Sequence, residues 1–305
     1  MVVERVTTPD NDFLDIWRLP ASDSAPRLVA LHGLEGSPRS EFITALAKGA
    51  QERGWGMDVV VSRGCGEEMN RAPRYYYAGD SADFATAYAH ILRTHPNAPL
   101  LLCGVSLGGN MLLKWLGEQG EDLPTSVIAA AAISVPFDLA RSCRRIDSGS
   151  SRIYSRNFLR TMKPKALAKI AQHPGIASVE AVRSADSIFS LDDAFTAIVH
   201  GFRDAADYYT QCSAIRFLER IRVPTLLLSA RDDPFHPPEV LNEVAEIAGR
   251  NAALATDFPE RGGHVGFVGG NWPWKTIDYA EVRVLAFLEQ QLAASGAASE
   301  SRVAS

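Results

Sequence analysis

Apolar and polar positions alternate through Val2–Thr7 and again through Phe13–Leu19, with Pro9-Asp10-Asn11-Asp12 between them. That pattern predicts an opening hairpin. The character then changes. Leu28–Leu31 is a short apolar run broken at once by His32-Gly33, and Asp58–Ser62 and Leu100–Val105 repeat the theme. Between them Phe42, Ile43, Leu46 and Ala50 recur at helical spacing behind Ser40, a candidate N-cap. Phe84, Ala87, Tyr88 and Ile91 place a second helix over Ser81–Leu92, and a third runs through Met111–Trp115. Ser126–Val135 reads as a further strand. Apolar strands that alternate with amphipathic helices predict an α/β fold, a mainly parallel sheet covered on both faces.

The alternation stops at Pro136. From there to about Arg220 the chain reads as helical or irregular, with four arginines between Arg141 and Arg152. A strand at Val223–Ser229, a helix at Pro238–Ala248, a strand at Ala252–Phe258 and an amphipathic helix at Ile277–Leu292 restore the pattern. The small, polar segment from Ala293 onward is expected to be disordered. The expected organisation is therefore a sheet core from residues 1–135 and 221–292, a helical lid insertion at 136–220 and a tail at 293–305.

Composition narrows the function. The 305 residues carry a formal net charge of −5 with ordinary apolar and charged fractions, so wholesale disorder is excluded. The mildly acidic balance argues against nucleic acid as a partner. No secretory leader is visible, and the longest apolar run, Val127–Val135, falls well short of the about 20 residues that a membrane span requires. Cys65, Cys103, Cys143 and Cys212 are scattered, which suggests neither a disulfide framework nor a zinc site. The expectation is a cytoplasmic protein with reduced thiols, no metal and no cofactor, acting on a small molecule.

The chemistry gathers around Gly104-Val105-Ser106-Leu107-Gly108. This GxSxG pattern follows an apolar strand and opens a helix, the context in which a nucleophilic serine is thrust up on a tight turn. A side chain at position 104 or 108 is expected to collide with backbone. A serine hydroxyl needs a base, and of seven histidines His264 is the best placed, in the glycine-rich loop Gly262–Phe267 after the last strand. His90 and His95 are expected to face solvent. Asp232 and Asp233, after the strand Val223–Ser229, are the candidate acids; either could serve, since neighbours in an extended segment point apart. The chain order Ser, Asp, His is that of an α/β-hydrolase fold. Two backbone N–H groups, of Leu107 and of Leu34 in the loop His32–Gly36, are the candidate oxyanion donors. His32 itself is expected to hold that loop by hydrogen bonds.

Six segments in this order, LHGLEG (31–36), RGCG (63–66), GVSLGGNM (104–111), HGFRDAADYY (200–209), ARDDPF (230–235) and GGHVGF (262–267), resemble the YheT-like α/β-hydrolases. That family is related to the mammalian abhydrolase 1 and 3 lipases and to yeast medium-chain ester synthases/esterases. The resemblance spans about residues 10–290 and implies ester hydrolysis through Ser106, Asp233 and His264, the acid being the aspartate directly before proline. Pro234 favours the same residue, because it drives the preceding residue into an extended conformation with a defined aim. Asp232 is then expected to bond local backbone. The mammalian relatives carry an N-terminal membrane anchor, and none is expected here. The leading expectation is a serine esterase for short- to medium-chain acyl esters. An acyltransferase using the same acyl-enzyme, and an idle binding module on this scaffold, are the alternatives. The aromatic residues Phe189, Phe195, Phe202, Tyr208 and Tyr209 are expected to pack the insertion against the sheet or to line an acyl pocket.

Overall fold

The computed structural model describes residues 1–269 and 277–303, the side chains of 268–269, 277–278 and 297–303 excepted. An eight-stranded sheet runs in the order β1-β2-β4-β3-β5-β6-β7-β8. β1 (Val2–Thr7) and β2 (Phe13–Leu19) form the antiparallel hairpin, with Thr7 opposite Phe13 and Val2 opposite Arg18. β2 pairs antiparallel with β4 (Gly56–Val61). From β4 onward, β3 (Arg27–Leu31), β5 (Leu100–Val105), β6 (Val127–Ile133), β7 (Thr225–Leu228) and β8 (Leu254–Asp257) are all parallel.

The two-residue period of a strand divides its apolar residues between two cores. Val29, Leu31, Leu100, Leu102, Ala130 and Ala132 face a core covered by α2 (Ser81–Thr94) and α3 (Leu107–Gln119). Leu28, Ala30, Leu101, Cys103, Ala129 and Ala131 face the other, where α1 (Glu41–Glu52) packs against the final helix. Ser40 occupies the N-cap position of α1 in extended geometry, but its side chain makes no capping bond.

Between β6 and β7 the chain leaves the sheet for α4 (Leu139–Ile146), α5 (Arg152–Gln172), α6 (Val179–Ser184), the short α7 (Ile188–Leu191) and α8 (Ala197–Val199), and α9 (Ala205–Cys212). A π-helical turn, Asp192–Thr196, joins α7 to α8. α10 (Pro238–Ala248) follows β7 at the expected bounds, with Pro238 in its first turn. An ion cluster around the buried Arg63 fastens the hairpin to the body: Arg63 of the RGCG segment reaches Asp10 and Asp12 at 2.9 and 2.8 Å and Asp83 of α2 at 2.5 Å.

Two expectations at the C-terminal end are corrected. The helix expected over Ile277–Leu292 forms but starts two residues later: Ile277–Asp278 make a two-residue strand β10 against β9 (Val268–Gly269), and α11 runs from Tyr279 to Val303. The segment from Ala293, expected to be disordered, continues that helix as far as Val303, while residues 304–305 lie outside the described residues. The segment is alanine-rich and follows a docked helix, so it extends an existing turn and avoids the costly step of nucleation.

Candidate active site

β5 ends at Val105, and α3 begins at Leu107, so the whole reversal falls on Ser106. Its φ of 52° and ψ of −118° lie in a region that residues with a Cβ adopt only under strain. The turn is pinned on both sides: Ser106 N–H donates to the Ile133 carbonyl at 2.7 Å, and its carbonyl accepts from Asn110 N–H at 3.1 Å. A Cβ at Gly104 would stand 2.5 Å from the Gly108 oxygen, and one at Gly108 would stand 2.5 Å from the His32 oxygen. Only glycine fits either place.

Ser106 Oγ lies 2.9 Å from Nε2 of His264, and Nδ1 of His264 lies 2.8 Å from Oδ2 of Asp233. The other Asp233 oxygen accepts from Phe235 N–H at 2.8 Å, and the carboxylate is buried. A carboxylate cannot donate, so the proton of a neutral imidazole resides on Nδ1 and Nε2 is free to accept from the serine hydroxyl. Phe235 covers the imidazole face, with ring centroids 4.0 Å apart.

The loop that carries His264 is held at points the sequence did not reveal. Asp232 Oδ1 accepts from Gly262 N–H at 2.9 Å and from Gly263 N–H at 2.8 Å. Expected to bond its own turn, Asp232 instead clamps the histidine loop. The two carboxylates point apart as neighbours in an extended segment do, one to the imidazole and one to the amides leading into it. Ser134 Oγ donates to the His264 carbonyl.

His32 is buried, as a structural histidine should be. Its Nε2 accepts from Ser62 N–H at 3.1 Å, so Nδ1 carries the proton and donates to the Gly33 carbonyl at 2.8 Å. Burial holds its pKa below the usual histidine range. The loop that it braces runs against the serine: a Cβ on Gly33 would stand 3.2 Å from Ser106 Cβ. Glu35 N–H is taken by Tyr76 Oη at 2.7 Å, whereas among the described residues the N–H groups of Leu34 and Leu107 meet no protein acceptor.

Beside Ser106 and His264 lies a pocket of about 100 Å³, lined by Leu34, Leu107, Phe158, Met162, Tyr208 and Tyr209 among others. Four of its five tyrosines, Tyr75, Tyr76, Tyr208 and Tyr209, have partnered hydroxyls. Tyr208 Oη accepts from Ala78 N–H at 2.8 Å, Tyr209 Oη donates to Asp192 at 2.7 Å, and Tyr76 Oη donates to Glu35 at 2.9 Å. The wall is therefore mostly apolar. This gives the HGFRDAADYY segment a structural role: Tyr208 and Tyr209 line the pocket, while Phe202 and His200 pack on Tyr77, ring centroids 5.8 and 4.1 Å away. Phe195 stacks on Tyr75 inside the core, and Phe189 is exposed. Asn110, unremarked in the sequence, ties α3 to this wall: its Nδ2 donates to the carbonyls of Ala78 and Cys212, both at 2.8 Å, and its Oδ1 accepts from Ala214 N–H at 2.9 Å.

His90 and His95 take no part in this site. The expectation that they face solvent is corrected, however: both are half-buried, and His90 Nε2 meets Glu4 at 2.9 Å, because α2 packs behind the hairpin.

Asp192 lies at the start of the π-helical turn and also lines the pocket. Burial pushes its carboxyl up to about 6. A folded-state pKa above the unfolded one gives stability that is present below the unfolded pKa and is lost as pH rises through the folded pKa. Asp192→Asn, permanently neutral and the same shape, should therefore gain on the wild type between pH 4 and pH 6 or so, by about 2–3 kcal/mol. Urea denaturation of both proteins across that range measures it; a difference that stays flat with pH contradicts the assignment.

Residues 23–261 match the family described as serine aminopeptidase, S33. The chain is 40% identical over 272 residues to the esterase candidate YheT of Escherichia coli strain K12, covering 88% of this chain and 78% of that protein. It is 31% identical to mouse phospholipase ABHD3 and 29% identical to medium-chain fatty acid ethyl ester synthase/esterase 2 of Saccharomyces cerevisiae, and it spans 61% of the length of each. The fold recurs in the Pyrococcus furiosus esterase Pf2001, with a TM-score of 0.60 at 17% identity over 95% of this chain and 92% of that one. It recurs as well in Est1E of Butyrivibrio proteoclasticus, with a TM-score of 0.61 at 12% identity over 96% of this chain and all of the other. No helix among the described residues is long and apolar enough to cross a membrane. The chain has the α/β-hydrolase fold and belongs to the family described as serine aminopeptidase, S33, and to the YheT-like α/β-hydrolases.

Proposed function

We propose that the protein hydrolyses carboxylic esters of short- to medium-chain acids through an acyl-enzyme on Ser106. The observation that carries this reading is the unbroken line Ser106–His264–Asp233 beside an apolar pocket. Ser106 Oγ attacks the ester carbonyl as His264 Nε2 takes its proton. Asp233 holds the imidazole in the required tautomer and stabilises the imidazolium. The N–H groups of Leu34 and Leu107 receive the negative oxygen of the tetrahedral intermediate. The imidazolium then protonates the departing alcohol, and water, activated by the same nitrogen, releases the acid.

The mostly apolar pocket wall suits an acyl chain. The name of the yeast relative supports a second reading, transfer of the acyl group to an alcohol, and the family description raises amide cleavage. One series of assays separates the three: p-nitrophenyl esters of increasing acyl length, with and without ethanol, beside alanine p-nitroanilide. Hydrolysis of short- to medium-chain esters, exceeding the anilide at least about tenfold in kcat/KM, is expected. Accumulation of ethyl ester in place of acid would favour transfer, and faster cleavage of the anilide would overturn the esterase reading.

A further inference from the structure

The chain is acidic overall, yet residues 139–172, which span α4 and α5, contain nine lysines and arginines against a single acidic residue, Asp147. Some of these cations are used within the fold. Arg141 is bound by Asp138 and Glu243, Lys165 by Glu35, and Lys163 and Lys169 donate to backbone carbonyls. Arg144, Arg145, Arg156 and Arg160 are exposed, and among the described residues none has a carboxylate partner. Arg152 meets only Asp186, at 3.3 Å and largely in water.

Arg152, Arg156 and Arg160 recur every four residues and so form one stripe along α5, the outer wall of a surface groove. Apolar side chains stand exposed beside it. Ile153 is 69% exposed and Tyr154 is 45% exposed. Phe189, also exposed, bonds through its N–H to Asp147, just beyond the arginines that end α4. Single exposed apolar residues are ordinary, but Ile153 stands in the middle of the exposed arc of α5, with the arginine stripe along one edge and Tyr154 at the other. Tyr154 also lines the cleft that holds Ser106 and His264, and its ring packs on Phe235 at 5.1 Å. The face therefore borders the mouth of the site.

We propose that this exposed face of α5 docks on an anionic lipid surface. Arginines spaced along one helix match the headgroup phosphates of a membrane, each contributing through charge, while Ile153 and Tyr154 enter the boundary between headgroups and acyl chains. An acidic protein would satisfy the arginines but would leave Ile153 without a role, which is why the membrane is favoured. Docking would hold the mouth of the pocket against the layer in which medium-chain esters concentrate. The inference stands on charge and exposure and does not require the esterase reading.

The test is co-sedimentation of the full chain with phosphatidylcholine vesicles, with and without phosphatidylglycerol, at low and high salt. Binding is expected only to the anionic vesicles and should fall steeply as salt rises. The triple variant R152E/R156E/R160E should bind them about 100-fold more weakly or worse, taking each basic residue as worth about fivefold. Ile153→Ser should weaken binding less, by about tenfold or under. Inorganic phosphate, compared with chloride at equal ionic strength, should compete no better, since the partner is a surface and not a free anion. Thermal melting checks that both variants are folded, and neither should change turnover of a water-soluble ester. Equal binding to neutral and anionic vesicles, no binding to either, or a triple variant that binds like the wild type would overturn the proposal.

Discussion

Replacing Ser106 by alanine is expected to lower ester turnover by at least about 10⁴-fold while leaving the fold intact. The size follows from the chemistry. Without Oγ there is no covalent intermediate, and only binding and the amides of Leu34 and Leu107 remain to assist direct attack by water. Removing a serine nucleophile from a triad of this kind costs about 10⁶ in kcat, and a residue of catalysis survives. The fold should survive because the backbone at Ser106 is fixed by its own N–H and carbonyl and not by its hydroxyl, which among the described residues hydrogen-bonds only to His264. Alanine also carries the same Cβ strain at φ of 52°, so the turn does not change its preference. The check is kcat on one activated ester, with circular dichroism on the same sample. A folded variant that keeps more than about a hundredth of the activity contradicts the proposed chemistry.

The second large effect distinguishes two neighbouring carboxylates. Asp233→Asn should reduce kcat by at least about 10²-fold, and up to about 10⁴-fold, because an amide can present its N–H to His264 Nδ1 and so hold the imidazole in the tautomer that cannot take the serine proton. Asp232→Asn should cost less than about tenfold, since the amide oxygen still accepts from Gly262 and Gly263 and loses only the charge on those bonds. Asp232→Ala removes both acceptors and should do more harm than Asp232→Asn, by loosening the loop that delivers His264. The comparison is made on kcat for all three variants with one ester. If Asp232→Asn is the inactive protein, the orienting role belongs to the other carboxylate.

Much of this molecule is legible in its sequence because local rules decide it. β5 is a continuous apolar run ended by Gly104-Val105-Ser106, and α10 starts on Pro238; both fall where pattern and turn chemistry place them. The same holds for Gly104, whose Cβ would strike the Gly108 oxygen of its own turn, whereas what excludes a Cβ at Gly108 is the His32 carbonyl of a distant segment. What the sequence hides are bonds between distant segments. Asp232 serves a loop thirty residues away, Ser134 reaches the His264 carbonyl, and Asn110 joins Ala78 to Cys212 and Ala214. A polar residue in the chain does not announce its partner, and a turn-forming aspartate looks the same whether it bonds its own turn or another. The polar tail likewise read as disordered because composition reports the absence of a core face, whereas a helix already nucleated needs none to continue.

The most direct test of the central claim is intact-protein mass spectrometry after brief mixing with a p-nitrophenyl ester, followed by peptide mapping. The proposed chemistry predicts a gain of one acyl group, carried by the peptide that contains Ser106, absent from Ser106→Ala and accumulating in Asp233→Asn only if deacylation is slowed more than acylation. An ester turned over with no acylated protein at any time, or an acyl group found on another residue and retained in Ser106→Ala, would contradict it.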